Sequence, residues 1–405
     1  MEQQNIIMLC QQDWDLKPGT NARNLAREFA KHNRVLYVNL PLDVSTLVAG
    51  FRRPEVRQRF RVLLGWAQGL TYVEPNVWLC TPGCLALSIN LLTSPRLFAV
   101  FNKLNAWLLA RSIRKAARTL GFGAPYLLQD GLIFPGTELK RLLKPRKFIY
   151  YLRDYMVTVP YFRRHGPRAE ALLLQQADVV ANSASLTDYA RQANPHSHDI
   201  GQGCVLALYQ AETPHEVPAD LAAVPMPRIG YTGFLTTVRL DLGLLLMLAR
   251  KRPDYHLVLV GPEDADFRQS ALHGLPNVHF LGNKTPAQLP AYVQHFDVCI
   301  NPQAVNDVTQ GNYPLKIDEY LAMGRPVVAT RTRTMEVFAD YAYLAGNQYE
   351  WLAQLAQVLV APDPERAARG VALAQSHTWA ASVAKLYAAV RAVSQAPAAR
   401  LVLAH

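Results

Sequence analysis

Along all 405 residues, short runs rich in β-branched and aromatic side chains alternate with stretches of helical period. That alternation constrains the fold more than any other feature of the chain. Strands read at Asn5–Leu9, Arg34–Asn39, Val77–Cys80, Tyr126–Gln129, Lys147–Leu152 and Asp178–Ala181. Helical patterns near 20–32, 51–65, 94–119, 165–176 and 183–193 separate them. The second half alternates in the same way, with strands at Arg228–Tyr231, His256–Gly261, Val278–Leu281, Asp297–Asn301 and Pro326–Thr330. Its helices read near 239–251, 286–295, 314–323 and 348–360, and a closing helix spans 376–394. Strand, helix, strand in succession favours parallel sheets with helices on both faces. The stretch Tyr209–Pro227 carries four prolines and no strand signal, so it reads as a linker. The expected organisation is two Rossmann-like halves: residues 1–210, a linker at 211–226, residues 227–375, and a closing helix and tail at 376–405.

Composition excludes several classes. Half the residues are apolar and 18% are charged, which supports a large core and excludes disorder. The longest apolar run, Leu242–Ala249, is far too short to span a bilayer. Residues 1–10 lack a basic stretch and a small-residue cleavage site, which reads as a cytoplasmic chain. Five cysteines at irregular spacings (Cys10, Cys80, Cys84, Cys204 and Cys299) read as free thiols in a reduced compartment, not as a disulfide framework or a zinc site. Charge is divided unevenly. Residues 1–215 hold 26 Lys and Arg against 15 Asp and Glu, whereas residues 216–405 hold 16 of each. The whole excess of +11 therefore lies in the first half, as a solvated basic surface or one that faces an anionic partner. No nucleic-acid-binding module accompanies it, so nucleic acid is the weakest reading.

Two segments of the second half carry chemistry. In Arg228-Ile-Gly-Tyr-Thr-Gly233 a strand runs into a glycine turn. Gly230 and Gly233 would let a ligand approach the backbone, a following helix would offer unpaired N–H groups, and Arg239 would supply a cation for a phosphate. A tight strand–helix turn is the plain alternative. In Pro314-Leu-Lys-Ile-Asp-Glu319, Pro314 suits a first helical turn. Lys316 is then unfavourably placed for the helix dipole, which a bound anion would relieve. Glu319, three residues on, shares its face.

Pro314–Thr330 strongly resembles the donor-site segment of the GT-B glycosyltransferases, the group that includes family 4. So do Leu275-Pro-Asn-Val-His-Phe-Leu-Gly282, Leu289-Pro-Ala-Tyr292, Phe296-Asp-Val-Cys-Ile-Asn-Pro302 and Gly230-Tyr-Thr-Gly233. Gln12-Asp-Trp-Asp15 and Ala177-Asp-Val-Val-Ala-Asn182 resemble first-half segments more loosely. The resemblance implies two Rossmann-like doubly wound domains facing each other across a cleft, with the closing helix packing back toward the first. It implies a nucleotide sugar bound by the second domain and an acceptor by the first. Glu319 would then bind the ribose hydroxyls, and Lys316 with the amides around Tyr313–Leu315 the diphosphate. The Leu281–Lys284 loop, with Gly282, would meet the base. Many relatives carry a second Glu eight residues before Glu319, where this chain has Gly311, and Asp318 stands where a Phe is usual. By family frequency the resemblance favours uridine over guanosine donors.

The activity so implied is glycosyl transfer from a nucleotide diphosphate sugar to a hydroxyl, in surface polysaccharide or glycolipid synthesis. A nucleotide-sugar epimerase of the same fold and a non-catalytic partner-binding subunit are the alternatives. Two Asp-x-Asp pairs, Asp13-Trp14-Asp15 and Asp264-Ala265-Asp266, could hold a divalent metal. So short a pattern is common by chance, and Lys316, Arg239 and helix N-termini can neutralise a diphosphate. No metal or resident cofactor is therefore expected. Inversion would need a base at a strand end of the first half. Asp154, after the apolar strand Phe148–Leu152, ranks ahead of Asp13, after the first strand; a cap or loop charge is the alternative for each. Two basic helical stretches, Phe51–Gly65 with a Val56, Phe60, Leu63, Leu64 face and Ser94–Leu120 with a Leu97, Phe101, Leu104, Leu108 stripe, suit a core contact or an anionic membrane surface. The expected location is cytoplasmic, peripheral on the inner face of the membrane if they dock there.

Overall fold

The strand Asn5–Cys10 (β1) buries every residue after Asn5, as a parallel strand covered on both faces must. It lies inside a sheet described by a computed structural model. The described residues are 1–15, 20–153, 155–182, 184–306, 309 and 313–395. They form two units, Met1–Gly201 together with the chain from Ser382 onward, and Gln202–Ala381. Both are α/β and built on largely parallel sheets, as the alternation predicts.

In the first unit the remaining strands are Arg34–Val38 (β2), Leu42–Asp43 (β3), Leu70–Glu74 (β4), Val77–Cys80 (β5), Leu85–Ala86 (β6), Tyr126–Asp130 (β7), Lys147–Leu152 (β8), Val179–Asn182 (β9) and Ser197–Asp199 (β10). The large sheet has the order β10-β9-β8-β7-β1-β2-β5-β4, and β3 pairs with β6 separately. Only β4 runs antiparallel in the large sheet. It follows from a two-residue hairpin at Pro75-Asn76, where Asn76 takes a left-handed φ of 60°. The helix Ile133–Leu143 escapes sequence reading because Pro135 and Gly136 interrupt its first turns. Gly136 is required there, since a Cβ would overlap the Gln129 side chain.

The basic stretches also resolve differently from expectation. Residues 51–65 are not one helix: Val44–Gly50 and Pro54–Leu63 are separated at Arg53, which the following proline holds extended at φ −76° and ψ 134°. The helix Pro95–Thr119 buries Phe98, Asn102, Asn105, Ala106, Leu109 and Ile113, so its core stripe lies one position round from the expected one. Two asparagines explain the shift. Asn102 donates to the Phe134 carbonyl at 2.8 Å, and Asn105 bonds both the N–H and the C=O of Leu87. Backbone-binding asparagines belong to the core while reading as polar.

The second unit contains Arg228–Thr232 (β11), His256–Val260 (β12), Val278–Gly282 (β13), Val298–Asn301 (β14), Val327–Thr330 (β15) and Tyr343–Ala345 (β16). All pair in parallel, in the order β13-β12-β11-β14-β15-β16. Side chains alternate between two cores. Leu257, Leu259, Ile229, Tyr231 and Ile300 face the helices Leu242–Lys251 and Gln348–Val360. Val258, Val260, Cys299 and Ala329 face Phe296, Ile317 and Tyr320. The strand order reverses between β11 and β14, and the crevice outside the carboxyl ends there is where open α/β sheets bind ligands.

Candidate donor-binding site

The backbone at that reversal has no room for side chains. Gly233, just past β11, donates its N–H to the Val260 carbonyl at 2.8 Å with φ 141°. A Cβ on Gly261, whose φ is 153°, would strike the Gly233 carbonyl, and one on Gly230 would enter the Phe296 ring. These contacts fix the glycine turn as a bare stretch of backbone. What faces it is Lys316, whose Nζ lies 2.8 Å from where a Gly233 Cβ would be and 4.8 Å from the Tyr231 ring centroid. Lys316 lies in the first turn of the helix Leu315–Ala322, which has Pro314 at its cap and no side-chain cap hydrogen bond. Uncapped amides beside a fixed cation favour an anion. Tyr320 ties the helix to the strand, its hydroxyl accepting from the Thr232 N–H at 2.8 Å.

One turn on, Glu319 is held among mixed charges. Burial pushes its carboxyl up to about 7; Lys316 and a hydrogen bond from Tyr209 oppose the rise, and Asp318 adds to it. Asp318 is wholly buried and turned the other way. It accepts from the Tyr313 hydroxyl and from His377 Nδ1, each at 2.8 Å. Burial raises its pKa, and His377 opposes that. Tyr313 and His377 also meet each other at 3.0 Å. Asp318 thus anchors the helix start to the segment carrying His377, which is itself paired to residue 204 through Cys204 N–H and the His377 carbonyl at 2.8 Å.

The structure therefore brings together Gly233, Lys316 and Glu319, while Leu281, Tyr313 and Leu315 pack on one core cluster beneath them. Gly282 ends β13 in a left-handed turn with φ 70°. Lys284, in the loop expected to meet the base, is engaged by Asp220 at 2.7 Å. Arg239 has an exposed side chain, and its carbonyl accepts from the Ala304 N–H at 2.9 Å. A helix does not follow the glycine turn directly, because a loop intervenes and the next helix begins at Leu242, capped by Asp241. In the first unit, Asp13 accepts from the Leu40 N–H at 3.0 Å and pairs with Arg59. Asp154 and Gly311 lie outside the described residues. The second Asp-x-Asp is occupied locally: Asp264 caps Phe267 and accepts from Thr237 N–H, and Asp266 accepts from the Thr237 hydroxyl. Among the described residues no three His, Cys, Asp or Glu side chains gather as a metal site.

Three participants escaped sequence reading. Tyr209 lay at the edge of the stretch read as linker, and His377 stands alone in a polar run. Asp318 did carry a signal, since it replaces an expected aromatic, but its partner His377 lies 59 residues away.

Residues 227–372 match the family model described as Glycosyl transferases group 1. A curated relative from Bacillus subtilis, described as a teichuronic acid biosynthesis glycosyltransferase, TuaH, is 27% identical over 205 residues. That match covers 47% of this chain and 51% of TuaH, so the chain spans about half the length of the curated relative it matches. Among solved structures, Anabaena HepE in complex with UDP superposes with a TM-score of 0.66 at 16% identity, covering 96% of this chain and all of HepE (100%). The sucrose-phosphate synthase of Thermosynechococcus elongatus gives 0.65 at 15% identity, over 97% and 99% of the two chains. This chain carries a group 1 glycosyltransferase domain and has the fold of the GT-B glycosyltransferases.

Proposed function

We propose that the protein transfers a glycosyl group from a nucleotide diphosphate sugar to an acceptor hydroxyl. The observation that carries this reading is the placement of Lys316 over the bare Gly233 backbone, with Glu319 one turn along the same helix. The ammonium and the uncapped amides of Leu315 and Lys316 bind the diphosphate and stabilise it as the leaving group. Glu319 accepts from the ribose hydroxyls. Lys316 and the helix dipole neutralise the diphosphate without a divalent metal, so EDTA leaves turnover intact. HepE was solved with UDP, which favours a uridine donor here. Asp154 remains the first candidate for the base that deprotonates the acceptor. The likeness to TuaH favours an acceptor from surface-polysaccharide synthesis, glycan or lipid-linked, and hence a peripheral position on an anionic membrane. No described helix is long and apolar enough to cross one.

The test is nucleotide binding by calorimetry. Lys316→Ala should weaken UDP or GDP binding by about 1.5–3 kcal/mol through loss of charge-assisted contacts. Equal affinity in both folded proteins would remove Lys316, and the site built on it, from the reading. Release of nucleoside diphosphate from a panel of nucleotide sugars, dependent on an acceptor, then separates transfer from hydrolysis and from epimerisation.

A further inference from the structure

The helix Pro95–Thr119 is 25 residues long, holds six basic residues and contains no acidic one. Its inner face is committed to the core. Its outer face presents Leu97, Val100, Leu104 and Trp107, which are 51%, 62%, 42% and 45% exposed. The same line continues through Arg111, Lys115 and Arg118, all exposed. Steps of three and four residues put these seven side chains in one stripe. At 1.5 Å per residue, an apolar segment of about 15 Å leads into a cationic one of about 10 Å. Leu91, in the short turn packed at the start of this helix, is 80% exposed and extends the apolar end. Among the described residues none of Arg111, Lys115 and Arg118 is in an ion pair. Together with Trp107 and Arg114 they rim a shallow depression of about 600 Å³. Beside it opens a groove of about 800 Å³ whose lining includes Leu63, Leu70 and Leu108, with Arg111 and Lys115 at its edge.

We infer that this outer stripe is the surface by which the first unit docks on an anionic lipid bilayer. The inference rests on the peripheral membrane position proposed above and names the surface responsible. Charge complementarity selects the occupant. Four large apolar side chains have no counterpart on a nucleic-acid backbone, and three cations in line with them oppose pairing with a second copy of the same face. A bilayer with anionic headgroups satisfies both ends: Leu97, Val100 and Leu104 enter the acyl boundary, Trp107 lies at the headgroup level, and Arg111, Lys115 and Arg118 meet lipid phosphates. The groove, of mixed polar and apolar lining, shares Arg111 and Lys115 with this surface. The other basic stretch is a poorer candidate, because Val56 and Val62 are buried and Arg59 is engaged by Asp13.

Co-sedimentation of the full chain with vesicles tests this, using phosphatidylcholine alone and phosphatidylcholine mixed with phosphatidylglycerol. The wild type should bind the mixed vesicles, bind the neutral ones weakly, and be released by high salt. R111Q/K115Q/R118Q should lower binding to mixed vesicles about tenfold or more. L104S/W107S should lower it too while leaving its salt dependence. R52Q/R53Q/R57Q/R61Q should bind as the wild type does. All the altered positions are exposed, and unchanged thermal unfolding checks each fold. Wild type that ignores phosphatidylglycerol overturns both the membrane position and this surface. Wild-type binding that survives R111Q/K115Q/R118Q but falls in R52Q/R53Q/R57Q/R61Q overturns the surface and leaves the membrane position standing. A wild-type dimer in the ultracentrifuge that W107S converts to monomer assigns the stripe to self-association instead.

Discussion

Glu319 carries the most informative titration in the molecule. With a folded pKa near 7 against the usual 4.5, it keeps a proton that the unfolded chain has already released. Its contribution to stability is therefore most favourable below about pH 4.5, declines through the window up to 7, and is lost above that. The full swing is about 3 kcal/mol at most. Glu319→Gln should flatten the stability of the second unit between those pH values, as read by urea unfolding; an unchanged profile would show that the carboxyl titrates normally. Binding has the opposite sign. Ribose hydroxyls donate to a carboxylate, so nucleotide affinity of the wild type should rise with pH through 7 relative to Glu319→Gln. Taking the difference between the two proteins removes the titration of the nucleotide's own phosphate. Lys316, the favourable charge beside Glu319, keeps the ionised form accessible once a ligand arrives.

At the scale of elements, Asp13 illustrates how a strand-end carboxylate can be structural. It receives the Leu40 N–H and pairs with Arg59, so it joins the loop after β1 to the loop after β2 and to the helix Pro54–Leu63. Asp13→Ala should destabilise the first unit by about 1–3 kcal/mol, because both partners lose their acceptor. Loss of turnover with unchanged stability would instead make Asp13 the base. The same scale shows what was legible in the sequence. Strands such as Val77–Cys80 and Lys147–Leu152 are apolar runs bounded by turns, and the structure returns them residue for residue. The donor-site helix was legible because Pro314, Lys316 and Gly324 punctuate it. The elements that escaped did so for local reasons: β4 is a half-exposed edge strand, and the helix Pro364–Ser376 is rich in alanine and charge and buries little. The stripe of Pro95–Thr119 was misplaced because two buried asparagines carry the periodicity of the core. Pairings such as Asp318 with His377 join residues 59 apart, and no local pattern encodes them.

Across the whole molecule, the chain leaves the first unit at Gly201 and rejoins it at Ser382, so the first unit is completed only by the last helix. Tyr387 is one attachment of that helix: it stacks on Phe29 at 5.8 Å between centroids, and its hydroxyl accepts from Asn33 Nδ2 at 2.8 Å. Asn33 is itself buried, and also donates to the Phe29 carbonyl and accepts from the Gln4 N–H. Removing the half-buried ring takes away the Phe29 stacking partner and the nearest acceptor of the Asn33 amide, which keeps the Phe29 and Met1 carbonyls. Tyr387→Ala should cost the first unit about 1–3 kcal/mol. Because each unit has its own sheet and core, two unfolding transitions are expected, and a single two-state analysis will not describe them. The transition lowered by Tyr387→Ala should be the one that nucleotide fails to raise, since a ligand stabilises only the unit that binds it. Calorimetric scans of both proteins with and without UDP make the comparison. If UDP lifts the same transition that Tyr387→Ala depresses, the closing helix and the donor site belong to one cooperative body, and the division of labour between the units fails.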